Sequence, residues 1–290
     1  MPGGELTPPN HFKIDYIEPD GDIAKFVTVF YHFRCDDPLV RDIQPAAIGH
    51  LSIFPEGRGR LFLPDGGHDT SQEVNLLTPL DCALPIEVDG PFYALGAALS
   101  PLGWAALTGL HAQDHANRLY KAADWLDPEI EEIGQKLCAA YRDGTAGLPE
   151  VVEALSTFIL THVRLPRPRH LQLMASVGHW LASDMLPDVE DLYAASSFSR
   201  RQTQRLVQQY FGASPVTLRR KYRALRAAAA LSRPDLSLEK EAEIYDAFYD
   251  QPHMIHEIRE FVGRTPARLA DDASPYLKEL TDGKNLRELR

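Results

Sequence analysis

From His11 to about Phe92 the chain alternates short apolar and polar stretches, among them Lys25-Phe-Val-Thr-Val-Phe-Tyr-His-Phe33, His50-Leu-Ser-Ile-Phe54 and Arg60-Leu-Phe-Leu63. β-Branched and aromatic residues fill these runs, and Pro-Glu-Gly, Pro-Asp-Gly-Gly and Asp-Gly punctuate them, so the pattern predicts an antiparallel barrel or sandwich. Such a layer has an interior able to hold a small ligand. Phe26, Phe30, Tyr31, Phe54 and Phe62 are the candidate lining of an effector pocket, with ordinary sheet core as the other reading of the same rings. From about Pro101 to Val163 the period lengthens to that of helices. Asp127 is a candidate N-cap with Pro128 at the first helical position, and Ile130, Ile133 and Leu137 mark one buried stripe.

The segment Arg164-Leu-Pro-Arg-Pro-Arg169 cannot be an ordinary helix interior, because its prolines remove donors and clash with the preceding turn. It reads as a linker and places a domain boundary. Helical patterns follow over His170–Ser183, with Leu171, Met174 and Leu181 on a common stripe, then over Val189–Ala195 and Ser199–Phe211. The last twenty residues, from Asp271, read as a polar tail with one short helix. The expected class is α+β, with a β-rich domain over 11–110, a helical connector over 111–165, an all-α domain over 166–270 and a tail over 271–290.

Of the 290 residues, 44% are hydrophobic, enough for one or two ordinary cores and too many for a disordered chain. No apolar run approaches the roughly 18 residues of a membrane helix, and the first residues lack the regions of a secretory signal. A cytoplasmic location is expected. Cys35, Cys82 and Cys138 are far apart, with neither CxxC spacing nor a nearby His pair, and read as reduced core residues. The net charge of -11 argues against a polyanionic partner, but its distribution reverses that impression. Residues 1–163 hold 10 Lys and Arg against 24 Asp and Glu, whereas residues 164–235 hold 12 against 5. The second stretch is the candidate polyanion-binding surface.

Within it, residues 191–212 contain two helical patterns separated by a turn of a few residues, the arrangement of a helix-turn-helix. Ala194 and Ala195 are small enough for close helix approach, Ser199 is a suitable N-cap, and Gly212 is placed to end the second helix in a left-handed conformation. Thr203, Leu206, Val207 and Tyr210 recur at helical spacing and are expected inside. Arg200, Arg201, Gln204, Arg205 and Gln208 are left facing outward. Arg and Gln suit two-point hydrogen bonding to guanine and adenine edges, each good pair worth roughly 1–3 kcal/mol of discrimination. A solvated basic face on a helical bundle is the competing reading of this helix.

The run Phe248-Tyr-Asp-Gln-Pro-His-Met-Ile-His-Glu-Ile-Arg-Glu-Phe-Val-Gly-Arg-Thr-Pro266 closely resembles the C-terminal signature of the AraC family of transcription regulators. Phe211-Gly-Ala-Ser-Pro215 stands where that family closes its first helix-turn-helix, and residues 216–231 resemble its long linking helix. The resemblance covers about residues 166–270 and implies two recognition helices entering successive major grooves of double-stranded DNA. It assigns Arg201, Gln204 and Arg205 to bases and brings Arg200 and Gln208 near phosphate. Gln251, Pro252, Ile255 and His256 are the corresponding positions of the second unit.

Three residues depart from the family pattern. Ala247 replaces a turn glycine, Glu243 a small packed alanine, and His256 a frequent arginine. Residues 236–270 carry 4 basic and 7 acidic side chains, so the first unit is expected to supply most of the affinity. His253 and His256 read as a packing and an exposed histidine.

Over Tyr31 to Gly67, with Phe54-Pro-Glu-Gly57 and Leu63-Pro-Asp-Gly-Gly67, the N-terminal half resembles the cupin-like sensory domain that precedes some AraC-type domains. Leu95-Gly-Ala-Ala-Leu-Ser-Pro-Leu-Gly-Trp104 and the segment Asn117-Arg-Leu-Tyr120 are similar to its connection. That resemblance implies a small-molecule effector or a homodimer, and RNA polymerase as partner if the protein activates. A metal-dependent cupin enzyme would need a His-x-His with further ligands, and His32, His50 and His68 stand apart in sequence. No GxSxG elbow or GxxxxGK[ST] loop is present, so neither an enzyme nor a cofactor is expected. A degenerate family member acting through protein contacts is the remaining alternative.

Overall fold

The computed structural model describes residues 6–7, 12–233 and 235–269. The expected polar tail lies outside the described residues. Eight antiparallel strands make one sheet: β1 (Phe12–Ile17), β2 (Val27–Cys35), β3 (Leu39–Gln44), β4 (His50–Phe62), β5 (His68–Thr70), β6 (Val74–Leu77), β7 (Leu84–Leu99) and β8 (Leu119–Lys121). Their order is β1-β2-β7-β4-β6-β8, with β3 also on β7 and β5 also on β4.

The expected turn at Pro55-Glu56-Gly57 is instead a double register shift inside β4, so the runs at 50–54 and 60–63 belong to one strand of 13 residues. Gly57 has φ 77°, and a Cβ there would lie 2.6 Å from the Pro91 carbonyl oxygen, so glycine is required where β4 crosses β7. Turn residues serve a bulge as well as a hairpin, since both need a positive φ or a missing donor. Asp89-Gly90 likewise falls inside the 16-residue β7. These irregularities bend the sheet around an internal space.

Ten helices complete the described residues: α1 (Pro101–Thr108), α2 (Glu129–Arg142), α3 (Leu148–His162), α4 (Pro168–Ser183), α5 (Val189–Ala195), α6 (Arg200–Phe211), α7 (Pro215–Leu231), α8 (Leu238–Asp246), α9 (Gln251–Val262) and α10 (Pro266–Leu269). The segment 111–165 is not wholly helical, because β8 pairs with β6 within it. Asp127 Oδ1 accepts from the Glu129 amide at 3.0 Å, but α2 starts at Glu129 with Pro128 as its N-cap, one residue later than expected. Ile130 is fully buried, and Ile133 and Leu137 pack against the same core.

Two cores result. One joins the outer face of the sheet to α1, α2 and α3, with Phe30, Leu51, Leu95, Trp104 and Leu155 fully buried. The other unites the helices from α4 to α10 and includes Leu206, Leu225, Phe248 and Phe261. Cys35 and Cys138 are buried and Cys82 half-buried, and all three are free thiols. Burial raises Cys35 and Cys138 to about 11, which leaves both protonated at neutral pH.

The helical unit docks on the sheet domain through polar groups that leave water. Ala46 N donates to the Phe261 carbonyl and Ala83 N to that of Glu260, each at 2.8 Å, so the sheet domain satisfies the C-terminal end of α9. Lys221 Nζ donates to the carbonyls of Ala47 at 3.1 Å and Leu80 at 2.9 Å. The Arg264 guanidinium pairs with the Asp42 carboxylate, the two residues being 4% and 1% exposed. Gly263, at φ 81°, lets this segment close on the sheet: a Cβ there would meet Ile43 Cγ2 at 2.2 Å.

Removing one partner of a fully buried ion pair leaves an uncompensated charge. Arg264→Ala is expected to lower the unfolding free energy by about 3 kcal/mol in urea titrations. The double change Asp42→Leu with Arg264→Met is expected to recover at least half of that loss. Equal stability of Arg264→Ala and the parent would contradict the role given to this pair.

Candidate nucleic-acid interface and internal cavity

α5 and α6 form the first helix-turn-helix. Ser199 Oγ accepts from the Gln202 amide at 3.4 Å and Gly212 ends α6 at φ 82°, the two boundaries that the sequence implied. Thr203, Leu206, Val207 and Tyr210 are buried, which leaves Arg201, Gln204 and Arg205 exposed and Gln208 half-buried. Ala194 and Ala195, expected between the helices, are exposed. In so short a helix the inward positions are Val189 and Leu192, and a 3.6-residue period turns 194 and 195 away. Contact across the turn comes from Ser196 and Thr203, whose hydroxyls lie 2.7 Å apart.

The outward cations are not equivalent. Arg200 reaches back to both carboxylate oxygens of Glu190 at 2.8 Å and lies over the Tyr193 ring at 4.4 Å, bracing α6 against α5. Arg201, Gln204 and Arg205 make no hydrogen bond or ion pair with any described residue, and with Gln208 they line a shallow surface groove. Arg169, expected in the linker, stands in the first turn of α4, where it donates to the Ser197 carbonyl at 3.0 Å and lies over Phe198. His170, bonded to the Tyr210 hydroxyl at 2.6 Å, is held below its ordinary value by burial and then by Arg167, Arg205 and Arg169. Those three arginines therefore share one positive surface beside α6. Arg167 and Arg169 were legible only as linker residues, although their charge already belonged to the basic stretch.

α7 uses its cations differently. Arg220 Nε and Arg223 Nη2 donate to Glu257 at 2.6 and 2.5 Å, and Arg223 Nη1 reaches the Ala247 carbonyl at 2.8 Å. Arg226 donates to the carbonyls of Leu181 and Asp184, and Lys221 to the sheet domain. The positive excess counted over residues 164–235 is thus partly internal wiring. Glu257 is completely buried on the stripe Met254, Ile258 and Phe261, a carboxylate at an apolar position of the helical period. That misplaced charge was the available signal for an arginine clamp, and it passed unread.

The second unit, α8 and α9, begins its recognition helix with Asp250, which accepts from the His253 amide at 2.8 Å. Gln251, Pro252 and His256 are exposed and Ile255 half-buried. Ala247 has φ -73°, so a missing glycine carries no strain there. Glu243 is exposed, so the carboxylate that replaces a small packed alanine stays in water. His253 Nε2 lies 3.5 Å from Glu257, and His256 Nε2 lies 3.9 Å from Glu260.

Inside the sheet is a cavity of about 250 Å³. Strand alternation decides its lining. Tyr31, Phe33, Ser52, Phe54 and Ala94 point into it, and their neighbours Phe30, Leu51, Ile53 and Leu95 point to the outer core. Of the five rings expected there, Tyr31 and Phe54 line the cavity. Phe26 and Phe30 pack in the outer core, and Phe62 lies beside His68 at 6.0 Å. Sequence reasoning missed His50, whose Nδ1 stands 3.3 Å from the Tyr31 hydroxyl, which is also hydrogen-bonded to Ser52. Burial lowers the His50 imidazole to about 4 and pushes the Tyr31 phenol up. Leu225 of α7 reaches the same cavity from the helical unit.

His32 and His68 are engaged elsewhere, His32 with the Tyr141 hydroxyl at 2.9 Å. Among the described residues, Asp127, Glu129 and His162 bring three ligand-type groups together, at the N-terminal end of α2 and the C-terminal end of α3. His162 Nε2 is 3.7 Å from Asp127 and 3.9 Å from Glu129, with both carboxylates open to solvent. No helix among the described residues is long and apolar enough to cross a membrane.

The family described as a helix-turn-helix domain matches residues 192–271, which span α6 through α10 and most of α5. No curated protein matches the chain. Among solved structures it is similar to ToxT from Vibrio cholerae strain SCE256 bound to an unsaturated fatty acid, with 9% identity over 95% of this chain and 97% of that one and a TM-score of 0.47. ToxT from Vibrio cholerae O395 bound to (E)-4-(8-methylnaphthalen-1-yl)but-3-enoic acid gives 10% identity over 92% and 98%, also with a TM-score of 0.47. The AraC-like transcriptional activator CuxR gives 15% identity over 74% and 86%, with a TM-score of 0.29.

The state of His50 carries a pH dependence. An unfolded chain takes up this proton near the ordinary value of 6.5, and the folded one does so only at about 4. Stability from keeping it neutral is complete above the first value and is lost as pH falls toward the second. At about pH 5.5 the loss is about 1 kcal/mol. His50→Gln is expected to shrink by that amount the difference in unfolding free energy between about pH 7.5 and 5.5. His32, also lowered to about 4, keeps its own share in both proteins.

Proposed function

We propose that this DNA-binding transcription regulator, whose C-terminal part is an AraC-type helix-turn-helix domain, holds its promoter site chiefly through α6. The observation that carries the reading is the exposed face of Arg201, Gln204 and Arg205, three donor-rich side chains with no partner among the described residues. Their i, i+3 and i+4 spacing puts them on one side of the helix, where a major groove admits them to base edges. Gln208 borders the same groove and is assigned to phosphate. Arg200 positions α6 by its grip on Glu190 and contributes charge near the backbone.

α9 enters the neighbouring groove with Gln251, Pro252, Ile255 and His256. Its contribution is the smaller one, because Glu260 stands beside His256 and the nearby arginines are committed to Glu257. The clamp from α7 to Glu257 fixes α9 relative to α7, and the shared helical core joins α7 to α6, so the pair presents a set spacing to the duplex.

The cavity in the sheet domain is the effector site in this reading. An effector changes DNA occupancy only if it binds one arrangement of the two units better than another. The cavity suits that role because Leu225 lies in its wall and belongs to the helix that links the two helix-turn-helix units. A homodimer would use the far side of α3, where Leu160 is 42% exposed.

A mobility-shift titration on the chain's own upstream DNA tests the reading. Arg201→Ala and Arg205→Ala are each expected to weaken binding about ten-fold or more and to flatten its salt dependence. His256→Ala is expected to change affinity by less than about three-fold. Absence of binding to any duplex at low salt would favour a regulator that acts through protein contacts.

A further inference from the structure

Resting on the reading of the cavity as an effector site, we propose that its ligand is a compact, uncharged, largely apolar molecule with one hydroxyl or carbonyl group, which hydrogen-bonds the His50, Tyr31 and Ser52 set. The same set offers no counter-charge to an organic acid or amine.

Size sets the first limit. An apolar cavity of about 150 Å³ holds a benzene, and the space here is about 250 Å³. One substituted ring or a small fused pair fits.

Charge sets the second limit. The walls are mostly aliphatic and aromatic, with Ile14, Phe33, Val40, Leu61, Ile86 and Val88 among them. Among the described residues Arg60 is the one permanently charged side chain in the lining; it lies ten residues along β4 from His50 and shares the Glu87 carboxylate with Arg41, which holds it at 2.7 Å. Lys221 is directed to the carbonyls of Ala47 and Leu80 and is not part of the cavity wall. An ionised ligand seated on the His50, Tyr31 and Ser52 set would therefore lose its water with no counter-charge beside it, which costs far more than an apolar contact returns.

The polar set is suited to a neutral group. Imidazole, phenol and hydroxyl stand in a row on β2 and β4, the first two 3.3 Å apart and the last two hydrogen-bonded. At neutral pH the His50 ring is uncharged, since burial lowers it to about 4. With Nδ1 engaged by Tyr31, Nε2 accepts from a ligand hydroxyl in one tautomer and donates to a ligand carbonyl in the other.

The occupant would also touch the seam between the units. Pro45, Ala46, Ala47 and Ile48 line the cavity, and the same segment holds α9 through Ala46 N and α7 through the Ala47 carbonyl. Leu225 adds α7 itself. A molecule filling this space supports α9 and the linking helix α7 from behind.

Isothermal titration calorimetry of the full chain with cumene, its para-hydroxyl derivative and its para-carboxylate separates the possibilities. The hydroxyl derivative is expected to bind about five-fold tighter than cumene, the value of one neutral hydrogen bond. The carboxylate is expected to bind at least about ten-fold more weakly than the hydroxyl derivative at neutral pH. Tyr31→Phe and Ser52→Ala, both conservative in shape, are expected to bring the hydroxyl derivative to the affinity of cumene while leaving cumene unchanged. Leu225→Trp is expected to abolish binding of all three probes by filling the space. Carboxylate binding as tight as that of the hydroxyl derivative would overturn the proposed ligand class and leave the effector site standing. Failure of all three probes with the parent chain would overturn the effector site itself.

Discussion

The arrangement of the two units depends on ionic groups that have been taken out of water at their seam. Arg264 and Asp42 lose their hydration together, and Lys221 exchanges its own for two backbone carbonyls. Neither group tolerates partial separation, because a buried charge without its partner costs several kcal/mol. Burial raises the Asp42 carboxyl even with Arg264 opposing it, so the pair sits close to the limit of what its geometry compensates. Asp42 Oδ2 and Arg264 Nη1 have no hydrogen-bond partner among the described residues. Such a seam is closed or open, with little in between.

The DNA-facing surface follows from how the remaining cations are used. Along α7, Arg220 and Arg223 neutralise Glu257 and Arg226 ties down the end of α4, so this helix works as a frame. Its charge is consumed inside the protein. On α6 the side chains that point away from Leu206 and Val207 find no protein acceptor, apart from Arg200 on Glu190. The positive field beside the groove therefore comes from Arg201 and Arg205 with Arg167 and Arg169 at the start of α4, and much less from the helix that carries more arginines.

The sheet contributes in a different currency, that of shape. Bulges at residues 53–58 bend β4 over β7, and alternation then gives each strand one face toward the outer core and one toward the cavity. Because residues 45–48 join β3 to β4, the cavity wall and the docking surface are parts of one loop. The cavity and α9 thus share neighbours without touching each other.

Read alone, the chain determined the local features set by neighbouring residues: the bounds of α5, the caps of α6, its buried stripe of Thr203, Leu206, Val207 and Tyr210, and the order of a β-rich part before a helical one. Helical period, capping chemistry and turn residues act over a few positions, so they are written in the order of amino acids. Tertiary structure decided which turn signals became bulges, why Tyr31 and Phe54 reach the cavity while Phe26, Phe30 and Phe62 do not, and why Glu257 is buried while Glu243 is exposed. It also decided which arginines remain without a protein partner among the described residues. Those outcomes depend on groups that meet from distant segments, Asp42 with Arg264 and Arg220 with Glu257, and the energy of a charge is set by what surrounds it in space.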